Sequence, residues 1–325
     1  MFSYSVNKTA NIPYIGRFAP SPTGPLHFGS LLAALASYLD AKSNQGQWLV
    51  RIEDIDPPRE ISGSKDEILK ALDVYGLFSD QTIVFQSQRS DFYQQALEQL
   101  IAQKSVFPCT CSRKQLANRG GIHFGDCLSN IGPSIQLNAQ SNIQKPPTEQ
   151  DHIQFAWRFD SQFTANRYSQ GNASFHDHLQ GLFSQSVEET IGDFVVKRKD
   201  QLWAYQLAMV VDDYEQGINH VVRGIDLIDS TLRQNMLQQA LGYPIPAYAH
   251  IPVACSENGQ KLSKQNLAPA LDLSQPEDTL WRALSWLRQE PPINLRLASV
   301  KEMLLWGVQH WQPLKLQTVK SQPAI

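Results

Sequence analysis

Residues 16–30 constrain this chain most, because a short apolar strand meets a helix there through a stiff turn. The apolar residues 13–18 predict the strand, and the run 30–40 predicts a buried helix. Three prolines limit the direction of the turn, and Gly29 lies where the helix is about to begin. Free backbone N–H groups at a helix start can face an anion, so this stretch predicts a nucleotide site.

The turn and the residues after it predict an α/β unit that differs from P-loop folds and from folds with a GxGxxG motif. The turn has neither the GxxxxGK[ST] pattern of a P-loop nor a GxGxxG pattern. Residues 47–52 predict a second buried strand, parallel to the first because the helix supplies the crossover. Glu53, Asp54 and Asp56 follow this strand, where open α/β sheets bind their ligands.

Composition indicates a globular protein. The chain has 325 residues, of which 42% are hydrophobic and 18% charged, and it can bury a sizeable core. Its first residues lack a basic region followed by an apolar core, and its apolar runs are too short to span a bilayer. We therefore expect no membrane association and a cytoplasmic location. With a net charge of −3, an RNA partner would need a local basic surface, such as residues 197–199 or the segment after 281.

Three of the four cysteines lie close together and suggest a metal site in a reducing compartment. Cys109 and Cys111 can bring two thiolates to one ion, and a glycine-rich return allows Cys127 to join them. Structural zinc prefers four ligands, and His123 can offer the fourth. We expect one structural Zn²⁺ per chain, with free thiols in a loop as the alternative. Cys255 is remote and is expected to be a packed thiol.

Apolar periodicity predicts the remaining elements. Six further helices are expected, over residues 64–77, 89–104, 206–213, 230–241, 279–287 and 300–306. Ser64 is the expected N-cap of the first of these, and Gly242 the stop of the fourth. Residues 153–159 and 220–224 predict strands, 195–205 a hairpin, and 129–151 a loop.

Three motifs in order carry a family resemblance. They are Arg17-Phe-Ala-Pro-Ser-Pro-Thr-Gly24 with His27-Phe-Gly-Ser30, then Arg51-Ile-Glu-Asp-Ile-Asp56, then Lys261-Leu-Ser-Lys264. Together they resemble the HIGH signature, an acidic strand end and the KMSKS-like loop of class I glutamyl-tRNA synthetases, over residues 14–269. The resemblance implies a Rossmann-like class I catalytic domain, a parallel sheet with flanking helices, with a zinc-bearing insertion and a short helical C-terminal part.

The resemblance also implies a division of the chain. The catalytic domain would occupy residues 1–104 and 191–265, interrupted by the zinc-bearing insertion at 105–190. Residues 266–325 would form the helical C-terminal segment, which is too short for the anticodon-binding part of a discriminating glutamyl enzyme.

The site residues implied by the resemblance fall into two sets. ATP, with its Mg²⁺, would be bound by His27, Gly29, Lys261 and Lys264, of which His27 and Lys264 would assist catalysis. L-glutamate would be bound by Arg17, Ala19, Ser21, Glu53, Tyr205 and Arg223. The chemistry agrees, because arginine forks suit carboxylates and an acid suits the ammonium group. Met209 stands where full-length glutamyl enzymes carry asparagine, so we expect a weaker grip on free glutamate.

Whole active-site motifs without an anticodon-binding part resemble a truncated branch of the family. Its members transfer activated glutamate to the queuosine base in the anticodon of tRNA(Asp). We expect this chain to be a monomeric ATP-dependent ligase that acts on tRNA(Asp) carrying queuosine. The alternatives are a truncated glutamyl-tRNA synthetase that charges 3′ ends, an unrelated HIGH-type nucleotidyltransferase, and a zinc-bearing RNA-binding module with a decayed active site.

Overall fold

The structure is a computed structural model that describes residues 13–117, 120–125, 155–164, 171–256 and 269–324. Its helices are α1 (Phe28–Ser43), α2 (Ser64–Val74), α3 (Ser90–Ala102), α4 (Arg113–Ala117), α5 (Tyr205–Glu215), α6 (Ile228–Leu241), α7 (Pro276–Trp286) and α8 (Val300–His310). Its strands are β1 (Ile15–Phe18), β2 (Gln47–Ile52), β3 (Val84–Phe85), β4 (Val106–Cys109), β5 (Ala156–Phe159), β6 (Asn172–Asp177), β7 (Gly181–Ser186), β8 (Phe194–Lys197), β9 (His220–Gly224), β10 (Ala247–Ile251), β11 (Val253–Cys255) and β12 (Ser321–Pro323). Among the helices so described, none combines the length and apolarity needed to cross a bilayer.

Two sheets meet at the centre of the fold. Strands β1, β2 and β3 are parallel, with Ile15 opposite Gln47 at the start of the first pair. A second sheet has the order β7-β6-β10-β9, in which β9 and β10 are parallel. The sheets adjoin where the N–H of Asn219, just before β9, donates to the carbonyl of Ile15 at 3.1 Å. Strand β2 lies on one side of β1, and β9 lies on its other side. In open α/β sheets, this arrangement opens a ligand crevice at the carboxyl ends of the strands.

The core beneath this crevice explains why the C-terminal helices are part of the same body. Leu35 and Leu39 of α1 are fully buried beside Trp48 of β2. Helices α7 and α8 pack onto the same cluster through residues such as Leu284. Gly307 permits this approach, since a Cβ there would lie 2.9 Å from a methyl group of Leu39. The predicted helical C-terminal part therefore completes the first hydrophobic core.

A second core lies under an antiparallel sheet of order β4-β5-β8. Helices α3, α5 and α6 cover it with buried side chains such as Leu97, Leu207 and Leu232. The predicted hairpin at 195–205 is present in part, because Lys197 bridges Trp203 in the antiparallel sense. Strands β6 and β7 belong to the range predicted as an insertion, yet β6 pairs with β10. The division into 1–104, 105–190, 191–265 and 266–325 stays a prediction.

One capping prediction is wrong. Ser64 is the first residue of α2, and the N-cap is Gly63 with a φ of 79°. The Ser64 hydroxyl is buried and accepts a hydrogen bond from the N–H of Gly24 at 2.9 Å. By contrast, Gly242 ends α6 in the left-handed conformation, as expected. The predicted loop at 129–151 lies outside the described residues.

Candidate active site

A cavity of about 370 Å³ opens at the carboxyl ends of β1 and β9. Its wall holds eight of the residues predicted to bind substrates: Arg17, Ala19, Ser21, His27, Gly29, Glu53, Tyr205 and Arg223. Segments separated by about 200 residues are thus brought to one crevice, which we call the first cavity. The remaining two predicted residues, Lys261 and Lys264, lie outside the described residues.

Asp213 of α5 anchors two buried arginines at the base of the first cavity. It receives the Nε–H of Arg17, 3.3 Å away, and an Nη2–H of Arg51, 2.7 Å away. Arg51 is fully buried and Arg17 is 3% exposed. Burial opposes the charged carboxylate, but the attraction of Arg17 and Arg51 holds the pKa of Asp213 below its ordinary value. Arg17 is therefore held in position from behind, with its guanidinium at the cavity wall.

Asp212, the neighbour of Asp213, continues this buried charge network. It accepts hydrogen bonds from Arg89 at 2.5 Å and from the hydroxyl of Tyr93 at 2.8 Å. Its Oδ2 also lies 3.8 Å from Nε of Arg51. Sequence reasoning missed Asp212, Asp213 and Arg51 as supports of the site. The available signal was two adjacent acids at the end of the apolar run 207–211.

Glu53 follows β2 and carries a carboxylate with one unsatisfied oxygen. Its Oε2 accepts a hydrogen bond from Ser21 at 3.4 Å, whereas its buried Oε1 lies 3.9 Å from Nη2 of Arg51 and has no hydrogen-bond partner among the described residues. Burial raises the pKa of Glu53 to about 7, although Arg51 and Arg17 pull in the opposite direction. A cationic ligand next to Oε1 would favour the charged form.

The guanidinium group of Arg223, on β9, donates hydrogen bonds to three other side chains. Its Nε–H donates to Nε2 of His250 at 3.1 Å, and Nη2 donates to Thr231 and Gln234 at 2.8 and 2.9 Å. Since Nε2 of His250 accepts, the ring proton lies on Nδ1, which donates to Asp177 at 2.6 Å. Burial lowers the pKa of His250, which agrees with a neutral ring. The buried Nη1 of Arg223 has no hydrogen-bond partner within the described ranges, and it is the part of the fork left for a ligand.

His27 is the N-cap of α1, so the start of this helix lies at the first cavity. Its Nδ1 accepts the N–H of Ser30 at 3.3 Å. The adjacent carbonyl of Leu26 accepts the N–H of Leu271 at 2.9 Å, and His27 itself bridges Ala270. On the other side, β11 lines the cavity through Val253 and its neighbour. The described residues on both sides of 257–268 therefore lie beside the nucleotide turn.

A second cluster, outside the lining of the first cavity, collects potential metal ligands. The ligand atoms of Cys109, Cys111 and His123 lie within 4.8 Å of one another. Nδ1 of His123 lies 3.0 Å from Oδ2 of Asp193, and Nε of Arg158 donates to the sulfur of Cys109 at 3.2 Å. Burial opposes a thiolate, but hydrogen bonds from His123 and Arg158 lower the pKa of Cys109 to about 6. Cys127, the fourth predicted ligand, lies outside the described residues.

Comparison with known proteins identifies the family. A family model described as tRNA synthetases class I (E and Q), catalytic domain, matches residues 15–284. The chain therefore belongs to the class I tRNA synthetases. A relative named glutamyl-Q tRNA(Asp) synthetase from Serratia proteamaculans (strain 568) is 44% identical over 96% of this chain and 94% of its own. Another of the same name, from Xanthomonas campestris pv. campestris (strain 8004), is 45% identical over 97% of both chains. Within the class, this chain belongs to the glutamyl-Q tRNA(Asp) synthetase family.

Solved structures support the same fold. The glutamate-tRNA synthetase of Elizabethkingia anophelis aligns with a TM-score of 0.75 at 24% identity, over 96% of this chain and 68% of that one. The predictions of a class I synthetase fold and of a ligase of this family are confirmed.

Proposed function

We propose that this chain uses ATP to activate L-glutamate as glutamyl-adenylate and transfers the glutamyl group to the queuosine base of tRNA(Asp). The names of its relatives suggest this reaction. The observation on this chain that supports it is the pairing of unsatisfied groups in one cavity. Nη1 of Arg223 and Oε1 of Glu53 are buried and have no hydrogen-bond partner among the described residues, and α1 begins at the same cavity. A cation, an anion and a helix start together suit an amino acid next to a nucleotide.

Glutamate has two carboxylates and one ammonium group, and the first cavity offers a partner for each. Arg17 and Arg223 supply guanidinium groups for the carboxylates, and Glu53 supplies an acceptor for the ammonium group. Ala19, Ser21 and Tyr205 complete the wall around them. Met209 also lines this wall, and its sulfur lies 3.3 Å from Nη2 of Arg51. An apolar thioether replaces a hydrogen-bonding amide there, which supports the expectation of a weaker grip on glutamate.

Activation needs orientation and charge stabilisation more than covalent help from the protein. An oxygen of the substrate carboxylate attacks the α-phosphorus of ATP, and the bond to the pyrophosphate oxygen breaks. His27 and the N–H groups at Gly29 would donate to phosphate oxygens, with Mg²⁺ arriving as part of the nucleotide. Lys261 and Lys264 lie outside the described residues, and we propose from the family motif alone that they add positive charge at the phosphates.

Transfer follows at the carbonyl carbon of the adenylate. A hydroxyl of the cyclopentene ring of queuosine attacks this carbon, and AMP leaves. Because ATP and tRNA are cytoplasmic substrates, we infer that the reaction takes place in the cytoplasm. We also propose that the enzyme acts as a monomer.

An exchange assay and a transfer assay test this function. We expect pyrophosphate exchange with glutamate, and little with glutamine or aspartate, because each lacks the length or charge that the two arginines select. Labelled glutamate should then appear on the anticodon stem-loop of tRNA(Asp) that carries queuosine, and not on tRNA(Asp) with guanosine. Label on the 3′ adenosine would support the truncated acceptor-charging enzyme instead, and absence of exchange would support the RNA-binding module.

We also propose that Cys109, Cys111, His123 and Cys127 hold one structural zinc ion. The three described donors are spaced so that one ion can reach them with bonds of about 2.3 Å to sulfur and about 2.0 Å to nitrogen. Asp193 lies against Nδ1 of His123, where a carboxylate typically orients a zinc-bound imidazole. Bound zinc would tie β4 to the return that contains His123.

Replacing His123 with alanine should reduce zinc from about one ion per chain to well below one, because the closed site loses a ligand. Metal content measured by emission spectroscopy on the purified protein checks this. His310→Ala is the matched control, since His310 is exposed on α8 and remote from the cluster. Full zinc occupancy in His123→Ala would show that the fourth ligand lies elsewhere.

A further inference from the structure

A second cavity of about 330 Å³ adjoins the first and shares part of its wall. The shared residues are Ser21, Thr23, Glu53 and Tyr205. The rest of its lining includes Asp56, Arg59 and Glu60 from the turn after β2, Gln86 after β3, and Arg198 and Trp203 from the hairpin after β8. The second cavity therefore leads from the glutamate site towards the antiparallel sheet.

Besides Oε1 of Glu53 on the shared wall, two buried acceptors that have no hydrogen-bond partner among the described residues line this second cavity. Gln86 is fully buried, and its Nε2 donates to Asp212 at 2.7 Å, which fixes the orientation of its amide. Its Oε1 has no hydrogen-bond partner in the described part of the chain, and neither has the buried Oε1 of Glu60. The other carboxylate oxygen of Glu60 lies 3.4 Å from the ammonium group of Lys65. Unsatisfied buried acceptors are costly, so these oxygens suit a ligand that donates hydrogen bonds.

The solvent-facing part of the second cavity carries cationic groups. The side chain of Arg59 is 69% exposed and that of Arg198 is 35% exposed, and both pair with Asp56. Guanidinium groups at such a position suit phosphodiester oxygens. Trp203 adds an aromatic ring on which a base can stack. The second cavity thus offers cations towards solvent and hydrogen-bond acceptors towards the glutamate site.

We propose that the second cavity binds the acceptor nucleoside, a base with a protonated secondary amine and a vicinal diol, as queuosine has. This inference rests on the function proposed above, and it assigns the nucleoside that accepts the glutamyl group to the second cavity. The amine donates to Glu60 and Gln86, and a diol hydroxyl faces the shared wall at Glu53. That hydroxyl oxygen forms the ester bond with the glutamyl carbonyl carbon. The bond between this carbon and the phosphate oxygen breaks, AMP leaves with the electron pair, and the hydroxyl proton is released to solvent.

A charge series at Glu60 separates transfer from activation. Glu60→Gln keeps the shape and removes the charge, so kcat/KM for transfer to tRNA(Asp) carrying queuosine should fall about tenfold. Glu60→Lys repels the amine and should lower transfer at least a hundredfold, whereas Glu60→Asp should stay close to the wild type. Glutamate-dependent pyrophosphate exchange should be unchanged in all three. Glu67→Gln is the matched control, because Glu67 is exposed on the neighbouring helix α2.

Binding of the free nucleoside queuosine, measured by calorimetry, is an independent readout of the second cavity. It should weaken about tenfold in Glu60→Gln and be unaffected in Glu67→Gln. Unchanged transfer in Glu60→Gln and Glu60→Lys would overturn the proposal, and so would a parallel loss of exchange. Failure of the proposed function looks different, because the wild type itself would then label no tRNA that carries queuosine.

Discussion

Replacement of Arg223 by glutamine is expected to raise the KM for glutamate by a hundredfold or more. Removing one partner of a buried, charge-assisted pair costs about 2–5 kcal/mol, and each 1.4 kcal/mol is about a factor of ten in affinity. The unsatisfied Nη1 of Arg223 is the group that the variant lacks. The KM for ATP should change little, because the nucleotide contacts come from α1. Steady-state exchange kinetics at varied glutamate concentrations measure both constants.

Two further variants make this result interpretable. Arg223→Lys keeps the charge but loses the fork held by His250, Thr231 and Gln234, so its KM should still rise about tenfold. Arg296→Gln is the control, since Arg296 lies far along the chain and pairs with Asp278 at the surface. A folded Arg223→Gln enzyme with a normal KM for glutamate would remove Arg223 from the binding site.

Asp213→Asn should lower the free energy of unfolding by about 3–5 kcal/mol, the usual loss when a buried pair loses one partner. Arg17 and Arg51 both bond to Asp213, and neither has enough exposure to recover its hydration. Urea unfolding at neutral pH measures the loss. Asp73→Asn is the control, because Asp73 is exposed on α2, and it should change stability by less than about 0.5 kcal/mol.

The pH dependence of this difference has a definite sign. Asp213 has a folded-state pKa below its ordinary value, so it stabilises the fold above that ordinary value. The contribution is lost as the pH falls through the folded-state pKa. Wild type and Asp213→Asn should therefore converge in stability under acid conditions. Equal stability of the two proteins at neutral pH would contradict the role given to Asp213.

The first strand, turn and helix could be predicted because their signals are local. Apolar residues, prolines and a glycine within residues 13–40 determine where β1 ends and α1 begins. Six of the eight predicted substrate-binding residues that the structure describes lie within the motifs that carry the family resemblance. Ser64 shows the limit of local reasoning, since its hydroxyl serves Gly24, forty residues earlier, and not the helix that it begins.

The supports of the site could not be predicted for a related reason. Asp213 meets Arg17 across 196 residues, and Asp193 meets His123 across 70. An acid in an apolar run indicates that a partner exists, but its spacing carries no information about which cation the fold will bring to it. The unsatisfied acceptors on Gln86 and Glu60 could not be predicted for the same reason, because these two residues come from different turns.

Strand β12 links residues outside the first cavity to the selection of the amino acid. β12 pairs with β11, whose residues line the first cavity. Val319 lies just before β12, and its carbonyl accepts a hydrogen bond from the side-chain amide of Gln180 at 3.0 Å. The same amide also donates to the carbonyl of His250 at 2.8 Å. Because His250 orients Arg223, Val319 and β12 support this arginine from outside the cavity. Substitutions in residues 319–323 should therefore reduce discrimination between amino acids, although those residues do not line the first cavity.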